Sequence, residues 1–131
     1  MSRRTPPFQP NEIVSTLVHH EVAFVIIGGI AAVLQGVPYT TFDFDIVYSR
    51  SDLAGPKLLR TRFGRLDVLG ELDGKTTWES LLEHSVELPF GANRVRVLSL
   101  ATLIAVKERL GRDKDKAALP LLRATLERQR R

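Results

Sequence analysis

Apolar residues along the chain form short continuous runs and helix-like stripes, interrupted by glycine and proline. Residues 22–27 are an unbroken apolar run that ends at Gly28-Gly29, a pattern typical of a short strand buried on both faces. Polar and apolar residues alternate through residues 40–48, so this strand places Asp43 and Asp45 on one face. The predicted strands are residues 22–27, 40–48 and 62–69, followed by a hairpin of residues 87–89 and 94–98 around residues 91–93.

Helical periodicity and capping residues predict the helices. Asn11 is expected to cap the first helix and Ser99 the fourth, which Gly111 closes. Pro120 is expected to kink the last helix or split it in two, because its ring removes a backbone donor. Residues 49–61 are predicted as a linker of uncertain structure. The predicted helices are residues 11–20, 30–35, 78–83, 100–110 and 113–128, an order that indicates an α/β domain with a helical C-terminus.

The length of 131 residues fits one domain, expected over residues 11–131, with residues 1–10 as a proline-rich flexible arm. Cysteine is absent, which excludes a disulfide framework, a thiolate zinc site and a cysteine nucleophile. The longest apolar stretch, residues 22–34, is too short and too rich in glycine to span a bilayer. The N-terminus has no hydrophobic signal core, so we expect a cytoplasmic protein with no membrane partner.

Positive charge is concentrated toward the C-terminus. The chain has 19 basic and 15 acidic residues, and residues 94–131 hold eleven Lys and Arg against four acidic residues. Such an excess favours an anionic partner, which could be a nucleotide, RNA, DNA or an acidic protein. The alternative is an ordinary solvated helical surface.

Three carboxylates are the main candidates for chemistry. Asp43 and Asp45 repel one another when held side by side among apolar neighbours, and a divalent cation would relieve that repulsion. A strand face open to water is the alternative for this pair. Asp67 is a third acid, within the predicted strand of residues 62–69. If the two strands are neighbours, the three carboxylates converge and suit two metal ions about 3.5–4 Å apart.

Gly28-Gly29 is a candidate phosphate-binding turn. A buried strand that breaks at two glycines and opens a helix leaves free amide groups at a positive helix end. A tight turn from strand to helix needs glycine in any case, and this remains the alternative.

Together these motifs resemble a known superfamily. Gly28-Gly29, thirteen intervening residues and then Asp43-Phe44-Asp45-Ile46 are similar to the signature of the polymerase-β-like nucleotidyltransferases. The string GGIAAVLQGVPYTTFDFDIV and the C-terminal string LSLATLIAVKERLGRDKDKAALPLL resemble the minimal bacterial nucleotidyltransferases of the AbiEii and MenT toxin type. The resemblance covers about residues 11–127 and implies a small mixed β-sheet flanked by helices.

The resemblance also implies a role for each matching residue. The three acids would bind Mg²⁺ or Mn²⁺, and the third could instead act as base for the incoming hydroxyl. The two glycines would contact the β- and γ-phosphates of the nucleotide. Lys107 would meet the triphosphate, and Asp115 would hold it or the helix pair in place; a solvated charge beside Glu108 is the alternative for Lys107. The implied site residues are Asp43, Asp45 and Asp67 for the metal and catalysis, and Gly28, Gly29, Lys107, Arg112, Lys114 and Asp115 for the nucleotide.

The chain departs from the pattern at three places. Gly29 stands where many relatives have serine, and Tyr39 where a basic residue often precedes the acidic strand. Residues 49–61 are shorter than the helical insertion that relatives usually carry between the second and third acidic strands. The resemblance therefore implies a reduced version of the fold, either degenerate or completed by a partner chain.

The leading functional prediction is transfer of a nucleoside monophosphate from a nucleoside triphosphate to a hydroxyl. The acceptor would be RNA, such as a tRNA 3′ end, or a protein. The chain would be one component of a toxin–antitoxin pair, either as a homo-oligomer or with a cognate partner. One alternative is a non-catalytic module of the same fold that binds RNA or a partner protein. Another is a plain nucleic-acid-binding domain.

Overall fold

The computed structural model describes the backbone of residues 8–38, 43–48, 57–61, 64–69, 71–72 and 76–130. Side chains are described for residues 8–38, 44–48 and 78–130. The parts of the predicted arm, linker and strands at residues 1–7, 40–42, 49–56 and 62–63 therefore lie outside the described residues, as does Tyr39.

The helices and strands of the described residues follow the predicted α/β order. The helices are α1 (Pro10–His19), α2 (Gly28–Leu34), α3 (Trp78–Leu82), α4 (Leu100–Leu110) and α5 (Asp113–Gln129). The strands are β1 (Phe24–Ile27), β2 (Asp43–Tyr48), β3 (Lys57–Thr61), β4 (Gly64–Leu69), β5 (Glu71–Leu72), β6 (Thr76–Thr77), β7 (Ser85–Phe90) and β8 (Asn93–Leu98).

Six strands form one mixed sheet in the order β3-β4-β2-β1-β8-β7. Strand β1 pairs antiparallel with β2 and parallel with β8, and β2 pairs parallel with β4. All four residues of β1 are buried, which confirms the prediction of a central strand covered on both faces. The predicted hairpin is also confirmed as β7 and β8, with Gly91 at a φ of 60° in the turn.

The connection between β2 and β4 contains a strand where the sequence predicted a linker of uncertain structure. Residues Lys57–Thr61 form β3, which pairs antiparallel with β4 on its outer side. The chain thus reverses direction twice between β2 and β4, which makes these two strands parallel. A parallel pair usually needs a crossover helix, and here the described part of the connection is an edge strand instead.

The boundaries of the first two helices differ from the prediction. Helix α1 begins at Pro10, with Gln9 as its N-cap, so the prediction that Asn11 is the cap was wrong. Proline suits the first helical position because it lacks the backbone N–H that would be unsatisfied there. Phe8 packs against the core, so folded structure begins before residue 11. Helix α2 begins at Gly28 itself, two residues before the predicted start.

The last two helices match the prediction closely. The Ser99 hydroxyl accepts a hydrogen bond from the Thr102 N–H at 3.3 Å, and Gly111 ends α4 with a left-handed φ of 61°. Helix α5 is a single helix through Pro120, so of the two expected effects of proline, a kink or a split, the split does not occur. Pro120 has no N–H to donate to the Lys116 carbonyl, its usual helical partner. Both residues are exposed, so water can satisfy that carbonyl.

Gln35 connects three parts of the core through its amide group. Its Nε2 donates to the Leu98 carbonyl at 2.7 Å and to the Ala31 carbonyl at 3.0 Å. Its Oε1 accepts the Leu100 N–H at 3.0 Å. The side chain therefore fixes the end of α2 against the junction of β8 and α4. No helix among the described residues has the length and apolar character needed to cross a membrane.

We expect Gln35→Met to destabilise the protein by about 1–3 kcal/mol, because the half-buried backbone groups at the junction of β8 and α4 lose their partners. Gln9→Met is the matched control, since the exposed Gln9 side chain makes no cap hydrogen bond; its cost should stay within about 0.5 kcal/mol. Urea unfolding at pH 7 measures both. Equal stability of the two variants would show that the Gln35 contacts contribute nothing.

Candidate functional site

The register of the sheet brings the predicted acidic positions together. Asp45 is aligned with Asp67 across the parallel pair of β2 and β4. Asp43 lies two residues earlier on β2 and is aligned with Arg65. Neighbouring strands are about 4.8 Å apart, so the three acids occupy one small area of the sheet. The side chains of Asp43, Asp67 and Arg65 lie outside the described part of the chain.

Asp45 is the acid whose side chain the structure describes, and it is half-buried. Its neighbours Phe44 and Ile46 are 0% and 1% exposed. Val47, which shares a face of the strand with Asp45, is also fully buried. Asp45 is therefore the more accessible of these two residues on their shared face.

The glycine turn lies directly against Asp45. Ile27, the last residue of β1, is aligned with Asp45 across the antiparallel pair, and Gly28 follows with a left-handed φ of 67°. A Cβ added at residue 28 would lie 2.5 Å from the Asp45 Oδ2. Gly29 is the next residue in the first turn of α2 and is half-buried. The structure thus places the predicted phosphate-binding turn beside a predicted metal ligand.

The C-terminal basic motif forms a compact ion network between α4 and α5. The Asp115 side chain is 0% exposed, and its Oδ1 accepts from the Lys107 Nζ at 3.3 Å. Arg112 donates to the same carboxylate from its Nε at 2.6 Å and from its Nη2 at 3.2 Å. The Arg112 backbone N–H also donates to the Asp115 Oδ2 at 3.2 Å. Both carboxylate oxygens therefore bond to groups of this chain and join the helix pair.

These contacts change the acidity of both partners. The side-chain hydrogen bond from Arg112, with Lys107 adding to it, lowers the pKa of Asp115 from its ordinary 3.8 to about 2, against the opposing effect of burial. The same bond raises the pKa of Arg112. Asp115 is thus ionised throughout the physiological range and keeps Lys107 and Arg112 in fixed positions.

The remaining members of the motif are more open to solvent. Lys107 is 19% exposed and Arg112 is 52% exposed, and Lys114 is exposed on the first turn of α5. Helix α4 packs against α2, the helix that carries Gly28 and Gly29. Lys107 and the glycine turn therefore belong to helices that pack against one another.

The donor set suits a hard divalent cation. Carboxylate oxygens are the ligands that Mg²⁺ and Mn²⁺ prefer, and cysteine is absent from the chain. Among the described side chains no group of three or more His, Asp or Glu is placed to hold a metal ion. Of the three predicted metal ligands, Asp45 is the one whose side chain the structure describes. Asp67 is aligned with it on the neighbouring strand β4.

Sequence reasoning identified these residues but not how they meet. The register that aligns Asp45 with Asp67 depends on the pairing of β2 with β4, which no local pattern specifies. The contact between Gly28 and Asp45 follows from the pairing of β1 with β2. Arg65, two residues before Asp67 on β4, is aligned with Asp43.

Comparison with known proteins supports the fold. No protein-family model and no curated protein matches the chain. The crystal structure of a Thermotoga maritima protein described as a "putative nucleotidyltransferase" is similar, with a TM-score of 0.60 and 16% sequence identity. The likeness covers 90% of this chain and 96% of that one. The chain therefore has a nucleotidyltransferase fold, which confirms the predicted fold class.

We expect Asp115→Asn to destabilise the protein by about 1–3 kcal/mol at pH 7, since the amide leaves Lys107 and Arg112 without their anion. Because folding lowers the pKa of Asp115 from 3.8 to about 2, its contribution is present above pH 4 and is lost as the pH falls toward 2. The stability difference between wild type and variant should shrink over that interval.

Urea unfolding at pH 7, 5, 4 and 3 measures this difference. Asp113→Asn is the control on the same helix, because Asp113 is exposed. A difference between wild type and Asp115→Asn that stays constant from pH 5 to pH 3 would contradict the ion network.

Proposed function

We propose that the protein is a divalent-metal-dependent nucleotidyltransferase that moves a nucleoside monophosphate from a nucleoside triphosphate to a hydroxyl group. The observation that carries this proposal is the position of the Asp45 carboxylate. It lies against the Gly28 turn and beside the register position of Asp67, within a nucleotidyltransferase fold. Two motifs far apart in sequence thereby meet at one point.

Asp43, Asp45 and Asp67 would hold Mg²⁺ or Mn²⁺. When bound, the cation would neutralise charge on the triphosphate and on the incoming hydroxyl oxygen. The hydroxyl oxygen forms a bond to the α-phosphorus while the bond from the α-phosphorus to the bridging oxygen breaks, and pyrophosphate leaves. Asp67 could instead act as the base that accepts the hydroxyl proton. The chain mainly positions the reactants and balances their charge.

The glycine turn and the basic motif would bind the triphosphate. The backbone N–H groups of Gly28 and Gly29 are the candidate contacts for the β- and γ-phosphates. Lys107, Arg112 and Lys114 would supply the balancing positive charge, with Asp115 holding the first two in place. This assignment gives the ion network of α4 and α5 a role in both stability and binding.

The charge on α5 favours RNA over protein as the acceptor. Lys116, Arg123 and Arg130 are spaced seven residues apart, so they follow one side of the helix over about 21 Å. All three are exposed, and Arg123 makes a 3.7 Å contact with the exposed Glu108. A row of cations of this length suits a phosphate backbone. The same proposal includes a tRNA 3′ end as the acceptor, a cytoplasmic location and a toxin–antitoxin role like that of the AbiEii and MenT proteins.

Label transfer tests the reaction. We expect wild type, given Mg²⁺ and an α-labelled nucleoside triphosphate, to label tRNA or a protein from a mixed pool. Asp45→Asn should lower the rate by about 10²-fold or more, because the cation loses one negatively charged ligand. The bound cation is expected to stabilise the charge of the transition state by several kcal/mol. Glu12→Gln, an exposed change on α1, is the matched control and should keep wild-type activity.

The opposite outcome is equally specific. Absence of transfer with all four nucleotides, together with absence of metal-dependent nucleotide binding, would contradict the enzyme. The alternative would then apply, in which the fold serves as a non-catalytic module that binds RNA or a partner protein.

The acceptor assignment predicts a change in salt dependence. Lys116→Ala combined with Arg130→Ala should weaken tRNA binding and reduce the slope of log affinity against log salt by about 2, as two phosphate contacts are lost. Arg94→Ala combined with Arg96→Ala removes the same charge from exposed positions of β8 and should leave the slope unchanged. Filter binding at several salt concentrations measures both. Equal slopes for the two double variants would contradict the assignment to α5.

A further inference from the structure

Residue 28 is restricted to glycine by more than its backbone conformation. Gly28 has a φ of 67°, a conformation that by itself favours glycine. A Cβ at this residue would also lie 2.5 Å from the Asp45 Oδ2 and 3.3 Å from its Cγ. The first distance is well inside van der Waals contact. Residue 28 is therefore constrained both by its own φ and by the space that the neighbouring carboxylate occupies.

The clash would fall on the end of the Asp45 side chain. The same added Cβ would be 3.4 Å from the Asp45 Cβ, an ordinary contact that needs no movement of the strand. A carboxylate can rotate about its side-chain torsions at modest cost. A side chain at residue 28 would thus turn the carboxylate away while β1, β2 and α2 stay in place.

We propose that Gly28 is a positioning residue whose bare α-carbon leaves the space that the Asp45 carboxylate needs for its present orientation. This inference rests on the proposed function, in which Asp45 holds a divalent cation. It assigns to Gly28 an effect on the acid that is separate from any contact of its amide with phosphate. The carboxylate can then keep the orientation seen in the structure before the cation arrives, which reduces the cost of ordering it on binding.

A second glycine provides the control for backbone strain. Gly111 has a φ of 61°, close to that of Gly28. The nearest atom to a Cβ at residue 111 would be the Glu108 carbonyl oxygen at 3.8 Å. Gly28→Ala and Gly111→Ala therefore impose similar strain, but only the first introduces an atom against a carboxylate. Gly28→Asn is a further variant, because asparagine tolerates a left-handed φ better than alanine.

The test uses two readouts on the intact chain. The first is the ¹³Cγ resonance of Asp45 in protein labelled at aspartate, assigned with Asp45→Asn and recorded without metal. The second is the affinity for Mn²⁺ alone, measured by electron paramagnetic resonance. We expect Gly28→Ala to shift the Asp45 resonance and to weaken Mn²⁺ binding by about 10–100-fold, the usual cost of disturbing the surroundings of a metal ligand. Gly111→Ala should leave both unchanged while losing similar stability.

The outcomes separate the inference from the proposed function. An Asp45 resonance that stays at its wild-type position in folded Gly28→Ala or Gly28→Asn would overturn the inference, whatever the metal does. Wild-type protein that binds no Mn²⁺ would count against the proposed function, and the resonance would still decide the role of Gly28. If Gly28→Ala fails to fold, Gly28→Asn supplies both readouts.

Discussion

The pairing of β1 with β2 is the constraint on which the candidate site depends. It aligns Ile27 with Asp45, so that the left-handed turn at Gly28 begins α2 directly beside the carboxylate. A shift of one residue would point Asp45 to the opposite face of the sheet and separate the acid from the glycine turn. The parallel pairing of β2 with β4 then adds Asp67 at the adjacent position. Two strand registers therefore bring the candidate residues together, and the buried residues of β1 and β2 hold those registers in place.

The negative charges of Asp115 and of the acids near the glycine turn are balanced in different ways. Asp115 is fully buried, and Lys107 and Arg112 of the same chain neutralise it, which makes it a fixed part of the helix pair. The acids near the glycine turn instead occupy neighbouring register positions of the sheet, and like charges held close together repel one another. A divalent cation bound there would relieve such repulsion. The first arrangement contributes stability to the free protein, and the second is the proposed site for a cation.

Local pattern was enough to predict most elements of the fold. The alternation in β2 placed Asp43 and Asp45 on one face, and Ser99 and Gly111 marked the ends of α4. The errors have physical causes. Asn11 was a good cap by type, but Pro10 already suits the first helical position. Strand β3 is short, and its pairing with β4 is what defines it as a strand. Local periodicity in the sequence cannot reveal that pairing. The alignments around Asp45 depend on long-range pairing in the same way.

The most direct test of the account is a crystal structure of the protein with Mn²⁺ and a non-hydrolysable nucleoside triphosphate. Anomalous scattering would locate the manganese independently of the protein phases. We expect an anomalous peak at ligand distance from the Asp45 carboxylate, with the triphosphate between the Gly28 turn and the α4–α5 pair. Manganese or nucleotide bound at another place, with the Asp45 carboxylate free of metal, would contradict it.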